Sequence, residues 1–209
     1  MAKNIERTLV ILKPDAVKRG LTGEIITRFE KVGLKIVAVK LLTAHRDLVE
    51  KHYPAAREEL WIGIGNKTLD NYRDLEMDPK DSLGTADPSE IGKMVRIWLM
   101  DYLMEGPVLA MVLEAPHAVE LVRKLCGHTL PLLAAPGTIR GDYSYDSSYL
   151  ANSNKRPIRN LMHASGTKEE ADYEIPLWFT KEEIQEYKRS SDVARLRLRT
   201  FYILGSLLL

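Results

Sequence analysis

Apolar residues recur along this chain with two periods, and the switches between them sketch its elements. The run Thr8-Leu-Val-Ile-Leu-Lys-Pro14 is short, apolar and β-branched, which predicts a buried strand halted at Pro14, since proline lacks a ladder donor. From Thr22 to Val32 the side chains of Ile25, Ile26, Phe29 and Val32 fall at helical spacing, and Gly33 is placed to end that helix in the left-handed conformation. Lys35 to Leu42 reads as a second strand. A helical stretch from Asp47 to about Glu59 contains His52-Tyr53 and is interrupted near Pro54. Then come a short helix around Trp98, Leu99 and Tyr102, a third strand from Gly106 to Glu114, and a helix from His117 to Leu125 ended by Gly127.

Two stretches break the pattern. Residues 63–96 hold glycines at 63, 65, 84 and 92, prolines at 79 and 88 and many charges, and read as a long polar excursion on a core fold. Residues 144–157, rich in Ser, Asn and Tyr, read as a second one. Between them runs a proline-punctuated loop from Thr129 to Pro136. Thr167-Lys-Glu-Glu170 matches the Thr-x-x-Glu capping box, with Ala171, Ile175 and Trp178 as the apolar stripe of the helix it opens. The order strand, helix, strand, helix, strand, helix, strand predicts an α+β sandwich with helices on one face of a mainly antiparallel sheet.

Thr180-Lys-Glu-Glu183 repeats the capping signature, so residues 181–209 are expected to be a helical extension and tail. In the tail Arg195-Leu-Arg-Leu-Arg199 alternates with period two, and Phe201 to Leu209 is nearly all apolar. That run is too short for a membrane span, which takes about 20 apolar residues.

Composition narrows the class. With 209 residues, 45% hydrophobic and 28% charged, the chain buries a sizeable core and is expected to form one domain, 1–180, carrying insertions at about 63–96 and 144–157. A net charge of +1 gives no general attraction to nucleic acid or membrane, so anion binding must come from locally placed cations. The segment Met1-Ala-Lys-Asn-Ile-Glu-Arg7 lacks a signal-peptide apolar run, and the single Cys126 rules out an internal disulfide or a Cys-rich metal site. A cytoplasmic setting is expected.

The candidate chemistry centres on His163, set where a strand gives way to a helix, with Glu174 eleven residues on. A neutral imidazole attacks phosphorus only through the nitrogen without a proton, so the other nitrogen needs an acceptor to fix the tautomer. Glu174 suits that role. An isolated His–Glu pair is more often an ordinary hydrogen bond, so the weight falls on what accompanies it.

The accompanying motifs resemble nucleoside diphosphate kinases over about residues 6–62 and 97–180: Thr8-Leu-Val-Ile-Leu-Lys-Pro-Asp-Ala-Val, Gly106-Pro-Val, Arg123 to Pro131, Ala135-Pro-Gly-Thr-Ile-Arg-Gly-Asp and Asn160-Leu-Met-His. The resemblance implies a ferredoxin-like βαββαβ core and a homo-oligomer, hexamer or tetramer. It further implies ping-pong transfer of a γ-phosphate, typically from ATP to a nucleoside diphosphate, through phosphohistidine. Magnesium is expected, held mainly by the nucleotide phosphates and not by protein ligands. By the same resemblance His163 corresponds to the nucleophile through Nδ1, Glu174 to the carboxylate holding Nε2, and Ser165 to the serine supporting it. Lys13, Tyr53 and Asn160 correspond to residues near the γ-phosphate and ribose hydroxyl, and Arg123, Thr129 and Arg140 to residues on the phosphate tail. Trp61 and Leu99 fall where the family clamps the base between apolar side chains, a mode that accepts every base because each has a π-face; core packing is the plainer role for Trp61.

These residue types suit the reaction. Phosphoryl transfer spreads charge over the non-bridging oxygens, which positioned cations stabilise. Nucleic-acid binding on such a sheet would need surface aromatics and a basic stripe, against which the near-neutral charge argues.

The sequence also departs from the family. After His163 it runs Ala164-Ser165-Gly166-Thr167 where the family usually has Gly-Ser-Asp-Ser. An alanine disfavours positive φ, so if that conformation is needed the backbone must shift, with Gly166 placed to absorb it. The retained hydroxyls favour a tuned active site; a member that binds nucleotide without efficient transfer is the alternative. The first excursion adds about 34 residues to the family spacing and the second about ten. Cover over the site entrance, subunit contact and solvent loop are the three roles open to them.

Overall fold

The structure is a computed structural model and describes residues 5–189; the expected tail lies outside the described residues. Strands β1 (Ile5–Leu12), β2 (Lys35–Leu42), β3 (Val108–Pro116) and β4 (Met162–Ala164) form one antiparallel sheet in the order β2-β3-β1-β4. β1 runs into α1 (Pro14–Lys18) and α2 (Thr22–Lys31), and β3 into α7 (Ala118–Cys126). This is the α+β arrangement that the order of elements predicts, with the ferredoxin-like core that the resemblance implies.

The central strands are apolar on both sides. Leu9, Val10, Ile11 and Leu12 are all fully buried, and period two sends Leu9 and Ile11 to one core cluster and Val10 and Leu12 to the other. Ala110 and Val112 of β3 divide from Met111 and Leu113 in the same way. Each fully buried aliphatic side chain contributes about 1.5–3 kcal/mol, so both faces need cover. α2 and α7 supply the expected layer on one face through Ile25, Phe29, Ala118 and Val122. The opposite face carries a second layer: α3 (Arg46–His52), α6 (Pro88–Met104) and α10 (Lys168–Trp178), packed through Val49, Met100, Leu103, Ala171, Ile175 and Trp178.

Three local expectations change. The polar excursion at 63–96 is a helical hairpin, in which α4 (Glu58–Asp74) and α6 lie against each other with α5 (Pro79–Leu83) between them in sequence. Its glycines, which read as breakers, include two packing residues: a Cβ at Gly65 would overlap the Pro88 carbonyl, and one at Gly92 the Trp61 carbonyl. Asp87 caps α6 by accepting from the N–H groups of Ser89 and Glu90, with Pro88 in its first turn. The second excursion contains α9 (Ser148–Ser153), capped by Ser147, just after α8 (Ile139–Tyr143).

The helix expected from Thr180 is a turn. The Thr180 N–H donates to Glu183 and that of Ile184 to the Lys181 carbonyl, after which the chain follows the sheet edge without regular secondary structure. The Gln185 N–H donates to the Val37 carbonyl and the Tyr187 hydroxyl to that of Ile36. These carbonyls belong to edge strand β2, and bonding to them replaces the helix's own ladder. Among the described residues no helix is long and apolar enough to cross a membrane.

Candidate active site

β4 pairs with β1 so that His163 stands opposite Ile11. Paired residues share a face, and Lys13, two residues beyond Ile11 in extended conformation, shares it too. That face lies under α3, α6 and α10, so His52, Tyr102 and Glu174 approach His163 and Lys13 from three helices.

The Nε2 of His163 lies 3.0 Å from either Glu174 oxygen. A carboxylate there keeps the proton on Nε2 and leaves Nδ1 its lone pair. The Ser165 hydroxyl donates to Glu174 at 2.7 Å and accepts from the Leu9 N–H at 3.3 Å, tying the carboxylate to the central strand. Burial by itself would raise the Glu174 pKa, but the adjoining His163, His52 and the Ser165 bond outweigh it and bring it to about 2. Glu174 is therefore ionised at neutral pH although 5% exposed.

His52, which sequence reasoning passed over, is packed edge-on against His163 with ring centroids 4.5 Å apart. The Trp178 indole N–H donates to its Nδ1 at 3.3 Å, and burial together with His163 lowers its pKa to about 3. A neutral imidazole here leaves the Glu174 charge to His163. Its only sequence signal is its place before Tyr53.

The cationic part of the site is a hydrogen-bonded chain. Lys13 Nζ donates to Asn160 Oδ1 at 2.8 Å and lies 4.7 Å from the Tyr102 ring centroid; the Asn160 amide donates to the Thr129 carbonyl at 3.0 Å. Burial, then Arg140 and Arg159, pull the Lys13 pKa down to about 7 against the attraction of Asp15. Arg140 differs from expectation in what it touches. It is 4% exposed and donates to three backbone carbonyls, those of Asn160, Gly127 and Met162, at 2.8–3.0 Å. It clasps the β4 approach to the loop after α7.

Of the other candidates, Tyr53 and Trp61 line the cleft at His163, and Leu99, Arg123 and Thr129 do not. Tyr53 ends α3 beside His52, and burial followed by the Glu174 charge pushes its phenol pKa up, so it stays a donor. Trp61 is packed, 4% exposed, its indole N–H donating to the Pro54 carbonyl at 3.0 Å; the exposed apolar neighbour is Leu60. Leu99 is half-buried on α6. A small cleft of about 100 Å³ runs past Tyr53, Leu60 and Trp61 to His163 and Glu174. Arg123 is exposed on α7 and lines a different cleft, with His117, Gly166 and Lys168. Thr129 is exposed in the loop beyond it.

The strain expected beside the nucleophile lies elsewhere. Ala164 is in β4 opposite Val10, and neither it nor Gly166 has a positive φ; Leu161 does, at 69°. The Leu161 N–H donates to Asp15 and its carbonyl accepts from the Lys13 N–H. Such a residue costs about 1–3 kcal/mol and persists only where its surroundings hold it.

The comparisons with known proteins agree. The family model described as nucleoside diphosphate kinase matches residues 6–62 and 91–184; the interval between, 63–90, is the body of the helical hairpin. A nucleoside diphosphate kinase of Pyrobaculum aerophilum is 51% identical over 183 residues, covering 87% of this chain and 99% of that protein. One of Pyrococcus horikoshii is 44% identical over 187 residues, covering 90% and 93%. Among solved structures, an NDP kinase from Pyrobaculum aerophilum superposes with TM-score 0.85 at 50% identity, covering 87% of this chain and all of that one. A transition-state mimic of the Borrelia burgdorferi nucleoside diphosphate kinase, with bound vanadate and ADP, gives 0.72 at 38% identity, covering 91% and 96%. With the family model matched over most of its length and relatives this similar across nearly their whole chains, the protein belongs to the nucleoside diphosphate kinase family.

Proposed function

We propose that this chain transfers the γ-phosphate of a nucleoside triphosphate, typically ATP, to a nucleoside diphosphate by a ping-pong mechanism through phosphohistidine at His163. The observation that carries the reading is the bond from His163 Nε2 to a Glu174 carboxylate that Ser165 also holds. In the first half-reaction the Nδ1 lone pair attacks the γ-phosphorus, the bond to the β–γ bridging oxygen breaks, and the diphosphate leaves. Glu174 stabilises the positive charge that the ring gains. In the second half a terminal oxygen of the acceptor attacks phosphorus, the P–N bond breaks, and its electrons return to Nδ1.

Lys13 is the mobile cation for the phosphoryl group, with Asn160 and Tyr53 as neutral donors near it. Arg123 and Thr129 serve the phosphate tail, and Arg140 acts mainly by holding the backbone that carries Asn160. Leu60, Trp61 and Leu99 supply apolar surface at the rim, so base recognition is loose. Magnesium is read as arriving on the nucleotide phosphates. Among the described residues the one candidate group of metal ligands at the site is His52, His163 and Glu174, two nitrogens and a carboxylate, which do not suit an ion that takes octahedral oxygen ligands.

A homo-oligomer, hexamer or tetramer, accords with the exposed apolar side chains Val39 and Leu41 on edge strand β2 and Leu132 and Leu133 in the loop after Thr129. The lone, buried Cys126 fits a cytoplasmic enzyme, and the catalytic unit is taken as 1–180 with the extension 181–209 attached. Incubation with γ-labelled ATP tests the reading. The wild-type protein should give an acid-labile, alkali-stable phosphoprotein and His163→Ala none; label retained on that variant would overturn the assignment.

A further inference from the structure

We infer that Arg96, with Trp61, positions the Tyr53 rim of the His163 cleft, so that the hairpin of α4 and α6 acts as a brace for nucleotide binding. The inference rests on the phosphotransfer reading of that cleft and assigns the hairpin a part in it.

Tyr53 is the residue on which α3 ends, with φ −115° and ψ 68°, and the irregular segment 53–57 leads from it to α4. Carbonyls at a helix end lack partners within the helix and must find them elsewhere. Here the Tyr53 carbonyl accepts from Arg96 Nε at 2.7 Å and the Pro54 carbonyl from Trp61 Nε1 at 3.0 Å. The two donors come from the two arms of the hairpin, Trp61 from α4 and Arg96 from α6. The Tyr53 carbonyl is the polar anchor of the Arg96 side chain. A charged donor makes this bond stronger than a neutral one.

The arms themselves are locked. Gly92 of α6 packs on the backbone of Trp61, and Gly65, one turn further along α4, packs on Pro88, one turn before Gly92. Trp61 and Gly65 thus meet Gly92 and Pro88 as an antiparallel backbone-to-backbone crossing beside the site, where an added methyl on either glycine would overlap a carbonyl. α6 also carries Tyr102, the ring beneath Lys13. One helix therefore supports both the Tyr53 rim and the Lys13 wall.

The full-length wild-type protein, Arg96→Met and Arg96→Lys separate the possibilities. ADP affinity is measured by calorimetry, and KM and kcat by steady-state exchange between ATP and a second nucleoside diphosphate. Arg96→Met should weaken ADP binding and raise KM about tenfold, the effect of losing one charged hydrogen bond, with kcat changed less than about twofold, because a positioning contact made in ground and transition state alike acts on binding. Arg96→Lys, which keeps a charged donor, should recover affinity to within about threefold of wild type. A merely structural role would instead lower kcat in proportion to the folded fraction and leave KM alone. Unchanged ADP affinity in folded Arg96→Met overturns the brace. Should that variant not fold, Arg96→Gln, which replaces the charged donor by a neutral one, must weaken ADP binding, and wild-type affinity there overturns the brace equally. Absence of phosphohistidine in the wild type counts against the phosphotransfer reading alone, since ADP affinity still decides the brace.

Discussion

Lys13→Met should remove activity and, at neutral and lower pH, make the protein more stable. Lys13 is 5% exposed and burial brings its pKa from 10.5 to about 7. Between those values the unfolded chain holds a proton that the folded protein has released, so wild-type stability rises with pH across that window. Below pH 7 both states are charged and the folded one carries the whole cost of the buried cation, ~5 kcal/mol for a displacement of this size. Methionine removes that cost. It also leaves Asn160 Oδ1 without its donor, about 1–3 kcal/mol, and loses the cation contact with Tyr102, about 1 kcal/mol. The variant should thus gain about 1–3 kcal/mol at pH 6, lose the gain near pH 8–9, and be less stable than wild type at pH 10. Urea denaturation of both proteins at pH 6, 8 and 10, beside the phosphohistidine assay, measures this. A variant less stable at pH 6, or a gain that does not shrink with rising pH, would refute the account of Lys13 as a strained, desolvated cation held for its phosphate.

Three further outcomes are expected. Glu174→Gln should keep nucleotide binding and slow single-turnover phosphorylation about 10²-fold, since an amide can hold the ring but stabilises imidazolium charge poorly; an unchanged rate counts against Glu174 as the orienting group. Arg140→Met should destabilise the fold by about 3–5 kcal/mol in urea denaturation, because it leaves three backbone carbonyls without the donors described above; a loss below about 1 kcal/mol would contradict its role as a clasp. Leu41→Lys, placing a charge on the exposed edge strand, should weaken assembly in sedimentation, whereas a wild-type monomer of 23.7 kDa at micromolar concentration would refute the oligomer.

Much of this protein could be read from local signals. The strand at Thr8, the helix with Ile25 and Phe29 on one face, and the cap at Thr167 follow from periodicity and terminal chemistry, which depend on near neighbours only. The pairing of His163 with Glu174 was legible as well, because a histidine before a helix and a carboxylate two turns inside it need little beyond the helix to meet. Four things needed the tertiary structure. Glycines at 65 and 92 carry no local mark that separates a breaker from a helix crossing, and only the approach of the Trp61 and Pro88 backbones does so. A capping box at Thr180 competes with free carbonyls of β2, and its loss depends on where that strand lies. His52 belongs to the site because α3 crosses the sheet face that holds His163, a contact across 111 residues of sequence. Arg140 has the residue type of a phosphate ligand, and nothing local in the sequence shows that three backbone carbonyls already accept from its guanidinium. The sequence by itself determined which segments form elements and which residue types could do the chemistry. The tertiary structure decided which partners those side chains meet, because hydrogen-bond partners and desolvation are set by groups brought together from distant parts of the chain.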